Sequence, residues 1–357
     1  FYKKLAKGIA YVLLHVDDLG VMISPKNPEW KRLKNILTAQ YEKLSIKQGD
    51  RVKYIGLELF RNRQKSRFEI TMYAYILKLC EIHGIDPDTC KMTNPADALN
   101  FGNDTYEGEA DTEITDIEEI LLYRSLVMSM QYGNLVVPSV KYHVIYLATK
   151  QAHPKKGDYQ KALRVLGYMV TMKDEALHIY GVGDLPDIYV YTDAAYNVYN
   201  DSISHSGLTV FIGEAGGAIH CHSNKQKRVT RSSTEAEIVA ACEAMDIAQF
   251  YKNFMIDLGF QGTRVIHYQD NMSCIALVAS GCYSYDKKAR HVVLKINYMN
   301  QYFEDPDNHA SMVWCPTHWM VADLMTKDIH GTQFKALEGV TLGHEDIDLG
   351  PYEKKVV

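Results

Sequence analysis

From residue 187 onward the apolar residues keep changing their period, and the order of those changes restricts the fold of this 357-residue chain more than any other feature. "DIYVYTDAAY" (187–196) alternates apolar and polar residues, as a half-buried strand does. "HSGLTVFIG" and "GAIHCHSNKQ" read as two further strands. Helical spacing then runs from about Ser232 to Leu258. A strand "RVIHYQD", a helix "NMSCIALVAS", a helix around 289–303, a strand "SMVWCP" and a helix over about 319–327 complete the series. Three strands, a helix, a strand, two helices, a strand and a helix predict an α/β unit, a mixed sheet with helices on its faces.

The acids fall at particular places in this pattern. Asp193 ends the first strand, with Tyr189 and Tyr191 on its face by the period of two. Asp270 ends "RVIHYQD" just before a helix, at the carboxyl end of a strand where sites form in open α/β sheets. Asp323 opens the last helix. Glu235 and Glu237 share the first turn of the long helix. Ser232 to Glu235 and Thr234 to Glu237 both have capping-box spacing, so capping does not separate them. The helix face does: Glu237, Ala241, Ala244 and Ala248 form one side, small enough after the glutamate to lie close against a sheet. Asp193, Glu237, Asp270 and Asp323 are therefore expected to converge. Four carboxylates in one spot do not stay ionised without cations. Hard divalent ions with oxygen ligands are the natural remedy. Two of them, roughly 3.5–4 Å apart, would suit cleavage of a phosphodiester.

In the front half, "LLHVDDLGVMIS" (13–24) predicts a hairpin whose turn carries Asp17 and Asp18. A helix is expected over 27–44, strands at "VKYIGLELF" (52–60) and "RFEITM" (67–72), and a helix at "YAYILKLCEIHG" stopped by Gly84. Eight acidic residues in 104–119 read as a solvated loop or boundary. Helices follow over 120–136, 139–151 and 157–172.

The net charge of −5 does not point to nucleic acid, although local patches outweigh the sum. One such patch, "SNKQKRVTR" (223–231), places Lys225, Lys227, Arg228 and Arg231 ahead of the Glu237 helix, where they could track phosphates. Ser232, Asn271 and Ser273 lie near enough to join them. The seven cysteines lack paired spacing and read as reduced thiols of an intracellular protein. Cys80, His83 and Cys90 supply only half a zinc site. No apolar run is long enough to span a bilayer, and the chain begins at Phe1 without a leader, so a soluble piece of a longer protein is expected.

"YTDAAY", "SISHSGLTVFIG", "GGAIHCHSNKQ", "RSSTEAEIVAACEA", "HYQDNMSCIALVA", "KARHVV" and "CPTHWMVADLMTKDI" together resemble the ribonuclease H domain of copia-type LTR retrotransposon Pol polyproteins. The hairpin and "YIGLELF" resemble the reverse transcriptase of the same polyproteins; "YRSLVMSMQY" and "HPKKGDYQKALRVLGYM" resemble their connection. The resemblance implies the C-terminal part of a reverse transcriptase palm at 1–62, a thumb-like segment at 63–103, a connection at 104–185, ribonuclease H at 186–335 and a tail at 336–357. It also implies hydrolysis of RNA in RNA–DNA hybrids with two Mg2+ ions, for which Mn2+ can substitute. The ligands would be Asp193, Glu237, Asp270 and Asp323, with His291 and His318 as candidates for a direct role. The rest of the Pol polyprotein would be a partner, and the place of action the cytoplasm, in a virus-like particle, with nuclear entry possible.

The sequence departs from that family at His15, where tyrosine is usual, and at Ala195, Val293 and Asn297. The palm's other metal-binding aspartate is not in the chain, so DNA synthesis by this chain alone is not expected. Two alternatives stay open: an inactive or repurposed copy that binds nucleic acid without cutting, and a part of a longer active polymerase.

Overall fold

The structure, a computed structural model, describes residues 2–5, 9–41, 43–96, 101, 106–183, 186–281 and 290–345. Cys282, part of "KARHVV" and residues 346–357 of the expected tail lie outside them. The first strands are β1 (Tyr2–Lys4), β2 (Ile9–His15) and β3 (Asp18–Met22), which form an antiparallel sheet. His15 pairs with Asp18 across a two-residue turn in which Val16 has a φ of +49°. Helix α1 (Pro28–Gln40) follows; Asn27 caps it by accepting from the Glu29 amide, and Pro28 needs no partner in the first turn.

"VKYIGLELF", expected as one strand, is two. β4 (Arg51–Tyr54) and β5 (Leu57–Asn62) pair antiparallel across Ile55 and Gly56, whose φ values are +42° and +79°. The tyrosine of a later helix fixes this break: the Tyr132 hydroxyl donates to Ile55 O and fills the space a Cβ on Gly56 would need. β6 (Arg67–Thr71) extends this sheet, and β7 (Leu177–Tyr180), a strand the pattern did not announce, closes it as the fourth member. Helix α2 (Tyr73–His83) ends at Gly84 in the left-handed conformation, as its sequence predicts. Helices α3 (Ile117–Gly133), α4 (Lys141–Ala148) and α5 (Lys156–Thr171) fill the connecting region.

The last unit is a five-stranded sheet. Its strands are β8 (Ile188–Ala195), β9 (His205–Ile212), β10 (His220–Lys225), β11 (Val265–Gln269) and β12 (Ala310–Trp314), in the order β10-β9-β8-β11-β12. β8, β9 and β10 run antiparallel; β11 is parallel to both β8 and β12. This is the mixed sheet that the sequence pattern predicts, in the segment for which the resemblance implies a ribonuclease H-like fold. Its two faces follow the period of two. Ile188 and Val190 pack under α6 (Ser233–Asp257) and α8 (Arg290–Glu304), with Ala241, Ala244 and Ala248 at the contact. α7 (Met272–Ser280) flanks the same core. On the other face Tyr191 and Tyr268 stack at 4.6 Å and share a core with α3, α4 and α5. α9 (Gly331–Leu342) adds Phe334 and Leu337 to that core, although its residues were read partly as tail.

One element differs in kind. The segment 319–327, expected as a helix after "CPTHWM", forms short 3-10 turns at Thr317–Trp319 and Val321–Met325. All five residues from Val321 to Met325 are buried. An i→i+3 bond from Thr326 N to Asp323 O (3.1 Å) marks the 3-10 form, and Lys327 N bonds the same oxygen at 2.9 Å.

Two fully buried histidines tie the sheet together. His205 accepts from the Tyr199 hydroxyl at Nδ1 (2.7 Å). Its Nε2 donates to Ser223 Oγ (2.7 Å), because that hydroxyl gives its proton to Met325 O. His267 meets Thr192 Oγ1 at 2.8 Å. Burial holds His205 down at about 3 and His267 at about 4. Each is thus neutral in the fold while the unfolded chain takes up a proton near pH 6.5. Stability from each is complete above pH 6.5 and falls by about 1.4 kcal/mol per pH unit below it, until the folded pKa is reached. Ring nitrogen shifts in NMR are expected to report both as neutral at pH 5; a charged ring at pH 5 would contradict the burial argument.

The opening hairpin is the reverse case. Leu13, Leu14, Val16 and Met22 are exposed, Val16 at 81%. No residue of α1 is buried. With little apolar burial to hold it, Leu13 to Ile23 is expected to exchange its amide hydrogens in seconds to minutes, well ahead of β8 and β11. Protection there equal to the central strands would refute this.

Candidate metal centre

β8 and β11 carry two of the acids to one end of the sheet. The register pairs Tyr191 with Tyr268 in parallel. Two residues further on each chain stand Asp193 and Asp270, so both carboxylates reach the same edge. Asp270 leads into α7, which Asn271 caps by accepting from the Cys274 amide at 3.0 Å. Glu237 arrives from the first turn of α6. Its Oε2 accepts from Gln269 Nε2 at 3.3 Å. One carboxylate oxygen each from Asp193, Glu237 and Asp270 lie within 4.8 Å of one another.

Asp323 comes from the buried 3-10 turn, and a glycine admits that turn. Gly207 on β9 pairs with Asp193 on β8. A Cβ at Gly207 would fall 2.6 Å from Met325 Cβ and Thr326 Cγ2. Without it, the turn lies directly on the sheet beside Asp193. The Thr326 hydroxyl then donates to Asp193 Oδ2. Lys327 Nζ donates to Asp193 Oδ1 at 3.1 Å and to Asp323 Oδ1 at 2.9 Å, joining the fourth acid to the other three.

The electrostatics follow from the crowding. Burial, and then the charges of Asp193 and Asp270, hold Glu237 well above the usual carboxylate range. Asp270 is raised by burial and by Asp193, against the pull of Thr317 Oγ1, which donates to it at 3.0 Å. Burial and Asp193 push Asp323 up to about 7, with Lys327 opposing. Burial disfavours the Lys327 charge, yet Asp193 and Asp323 outweigh it and keep the ammonium protonated. Oxygen-only donors of this kind fit a hard divalent cation such as Mg2+ or Mn2+, whose charge would let all four acids ionise.

The other residues singled out by sequence are placed differently. Glu235 is occupied at the helix start: its amide is capped by Ser232 Oγ (3.1 Å) and its carboxylate meets His291 Nε2 at 3.2 Å and Arg231 Nε at 3.5 Å. His291 thus contacts Glu235 and not the four acids. His318 is exposed next to Thr317 and against the Trp319 ring. Lys225 pairs with Asp201 and lies over the Tyr199 ring, whereas Lys227 and Arg228 are exposed. Asp17 and Asp18 are exposed in the turn of the separate three-stranded sheet. Among the described residues Cys80, Cys90, Cys221, Cys242, Cys274 and Cys315 are free thiols.

Sequence reading missed Lys327, Thr326, Gln269 and Gly207. Lys327 was open to view, four residues after Asp323 in "ADLMTK", the spacing of a paired acid and base. Gly207 carried no signal, because its partner Asp193 is fixed by sheet register alone.

No protein-family model matches the chain. The Pol polyprotein from transposon RE1 of Arabidopsis thaliana, named as retrovirus-related, is 27% identical over 341 residues, 94% of this chain. Its counterpart from transposon RE2 is 25% identical over 340 residues, and that from transposon TNT 1-94 of Nicotiana tabacum 23% over 342. The chain's homologues are copia-type retrotransposon Pol polyproteins. The chain spans about 22% of the length of the RE1 and RE2 polyproteins. Among solved structures, a ribonuclease H1 isolated from compost is 18% identical, with 39% of this chain and 92% of that one covered and a TM-score of 0.31. A foamy viral protease-reverse transcriptase in complex with double-stranded DNA is 13% identical, with 86% and 55% covered and a TM-score of 0.44. No helix among the described residues of this chain is long and apolar enough to cross a membrane.

The raised acids make a stability prediction. A carboxyl whose folded pKa lies above its unfolded value stabilises the fold at low pH and loses that contribution as the pH rises through the folded value. Glu237→Gln keeps the acceptor for Gln269 and removes the repelled charge. It is expected to raise the melting midpoint of the metal-free protein at pH 8 by a few degrees, about 1–2 kcal/mol, and to change little near pH 4.5. A lower midpoint at pH 8 would mean that ionised Glu237 is held by favourable contacts.

Proposed function

We propose that this Pol segment hydrolyses the RNA strand of RNA–DNA hybrids, using two Mg2+ ions bound by Asp193, Glu237, Asp270 and Asp323. The observation that carries the reading is the meeting of three carboxylate oxygens within 4.8 Å at the strand ends of a ribonuclease H-like sheet, with the fourth acid alongside. When bound, the ions would orient a water, make it more acidic, and offset charge on the leaving oxygen. The chain's own groups do the rest. Burial holds Glu237 well above the usual carboxylate range and Asp323 at about 7, so cation binding at these acids would strengthen as the pH rises. Gln269 holds Glu237 at Oε2, and Thr317 holds Asp270 at Oδ2, so both present their remaining oxygens in fixed directions. Exposed Lys227 and Arg228 stand before α6, where phosphates of the hybrid could be tracked. A ribonuclease H1 solved in complex with an RNA/DNA hybrid is among the structures this chain is similar to.

The reading places the activity within a longer Pol protein, in which the Asp17–Asp18 hairpin would belong to the polymerase site. It assigns 1–62 to the palm, 63–103 to a thumb-like segment, 104–185 to the connection and 186–335 to ribonuclease H.

Cleavage of a 5′-labelled RNA–DNA hybrid by the purified chain in Mg2+ tests this. The parent is expected to cut RNA, leaving 3′-hydroxyl and 5′-phosphate ends. Asp270→Asn is expected to lose more than roughly 100-fold, the upper range for losing only an outer partner of a metal site. Intact RNA with the parent, in Mn2+ as well, would sink the reading and favour a copy that binds without cutting.

A further inference from the structure

The four acids are not equivalent in the metal-free protein. Asp193, Glu237 and Asp270 face one another with an oxygen each inside 4.8 Å. Asp323 instead faces Lys327, whose ammonium lies between it and Asp193. The acids in that contact are nearly closed off, with side-chain exposures of 2% for Asp193 and 5% for Asp323, while the lysine is 39% exposed. Lys327 is therefore the member of the group that can swing out to water while the acids stay in place. Its backbone is held separately, by the bond from its amide to Asp323 O at 2.9 Å, so departure of the side chain does not require the turn to unwind.

The geometry points to Lys327 as a built-in cation that holds the place of the second metal ion: the resting protein takes one divalent ion, at Asp193, Glu237 and Asp270, and takes the second only when Lys327 leaves Asp193 and Asp323. This rests on the metal-centre reading above and adds an order of filling to it. The charges are consistent with such an exchange. One divalent ion and the lysine supply three positive charges to four carboxylates, and replacing the lysine with a second ion supplies four. A monovalent side chain thus keeps the buried acids tolerable without filling the site. Lys327 acts through Asp193 and Asp323, so it is a positioning residue, and its effect lies on ion binding before any on chemistry.

The test counts Mn2+ ions bound to the full chain by electron paramagnetic resonance without nucleic acid. The parent is expected to bind one ion tightly. Lys327→Met is expected to bind two, with the second tightened about tenfold or more by loss of the competing charge. Lys327→Arg keeps a cation there and is expected to stay at one. Two equivalent ions in the parent, or one ion in a folded Lys327→Met, would overturn the inference and leave the metal centre intact. No ion in any version would overturn the metal centre itself. A measurement on the parent covers the case in which Lys327→Met does not fold. The Lys327 ammonium resonance in 15N NMR, assigned by its absence in Lys327→Arg, is expected to persist through the first equivalent of Mg2+. It is expected to vanish only with excess Mg2+ and hybrid. Its loss with the first equivalent overturns the proposed order.

Discussion

Three carboxylate oxygens held within 4.8 Å of one another are repelled by charges that burial does not screen. Much of the surrounding structure can be understood as holding them there. The parallel pairing of β8 with β11 sets Asp193 and Asp270 at one level. The small residues of α6 let that helix sit close enough for Glu237 to reach them. Gln269, Thr317 and Thr326 each donate to one acid, and Lys327 to two. Removing Gln269, Thr326 or Lys327 would leave a buried carboxylate oxygen without its partner, the costly half of such a pairing.

The sheet that carries the site does not stand alone. One face packs on α6 and α8, and the other on α3, α4 and α5 through Tyr191 and Tyr268. The residue that admits Asp323 to the site is a glycine on a neighbouring strand, Gly207, and the turn it admits also takes the Ser223 bond that fixes His205. Site and core are thus built from the same contacts on this side. The four-stranded sheet binds the front of the chain to its middle, since β7 comes from just before the ribonuclease H-like unit and pairs with β6. The opening hairpin and α1 bury little, and their exposed leucines and valine present an apolar surface.

What could be read from one sequence divides along a physical line. Period decides which way side chains point, so β8, β9, β10, β11 and α6 were legible from their patterns, and the strand-end position of Asp193 and Asp270 came with them. The face of α6 separated Glu237 from Glu235 because 3.6-residue spacing is a local property, and Glu235 lies instead among Ser232, Arg231 and His291. Three features were not legible. The break at Ile55–Gly56 depends on Tyr132, a residue of α3. The 3-10 form of Val321–Met325 goes with a close seat on Gly207, a residue far from it in the chain. The contact of Lys327 with Asp193 depends on Gly207, whose role exists only once β8 and β9 are in register.

The sequence by itself determined most of the strand and helix order of the last unit, its mixed sheet, and the placing of Asp193 and Asp270 towards one end of it, because periodicity and position along a strand are carried by neighbours in the chain. The tertiary structure alone decided which acids meet directly, which one is held through a lysine, and how closely the last turn approaches the sheet. Those outcomes are set by packing between segments tens to more than a hundred residues apart, and by the charge repulsion that packing must contain.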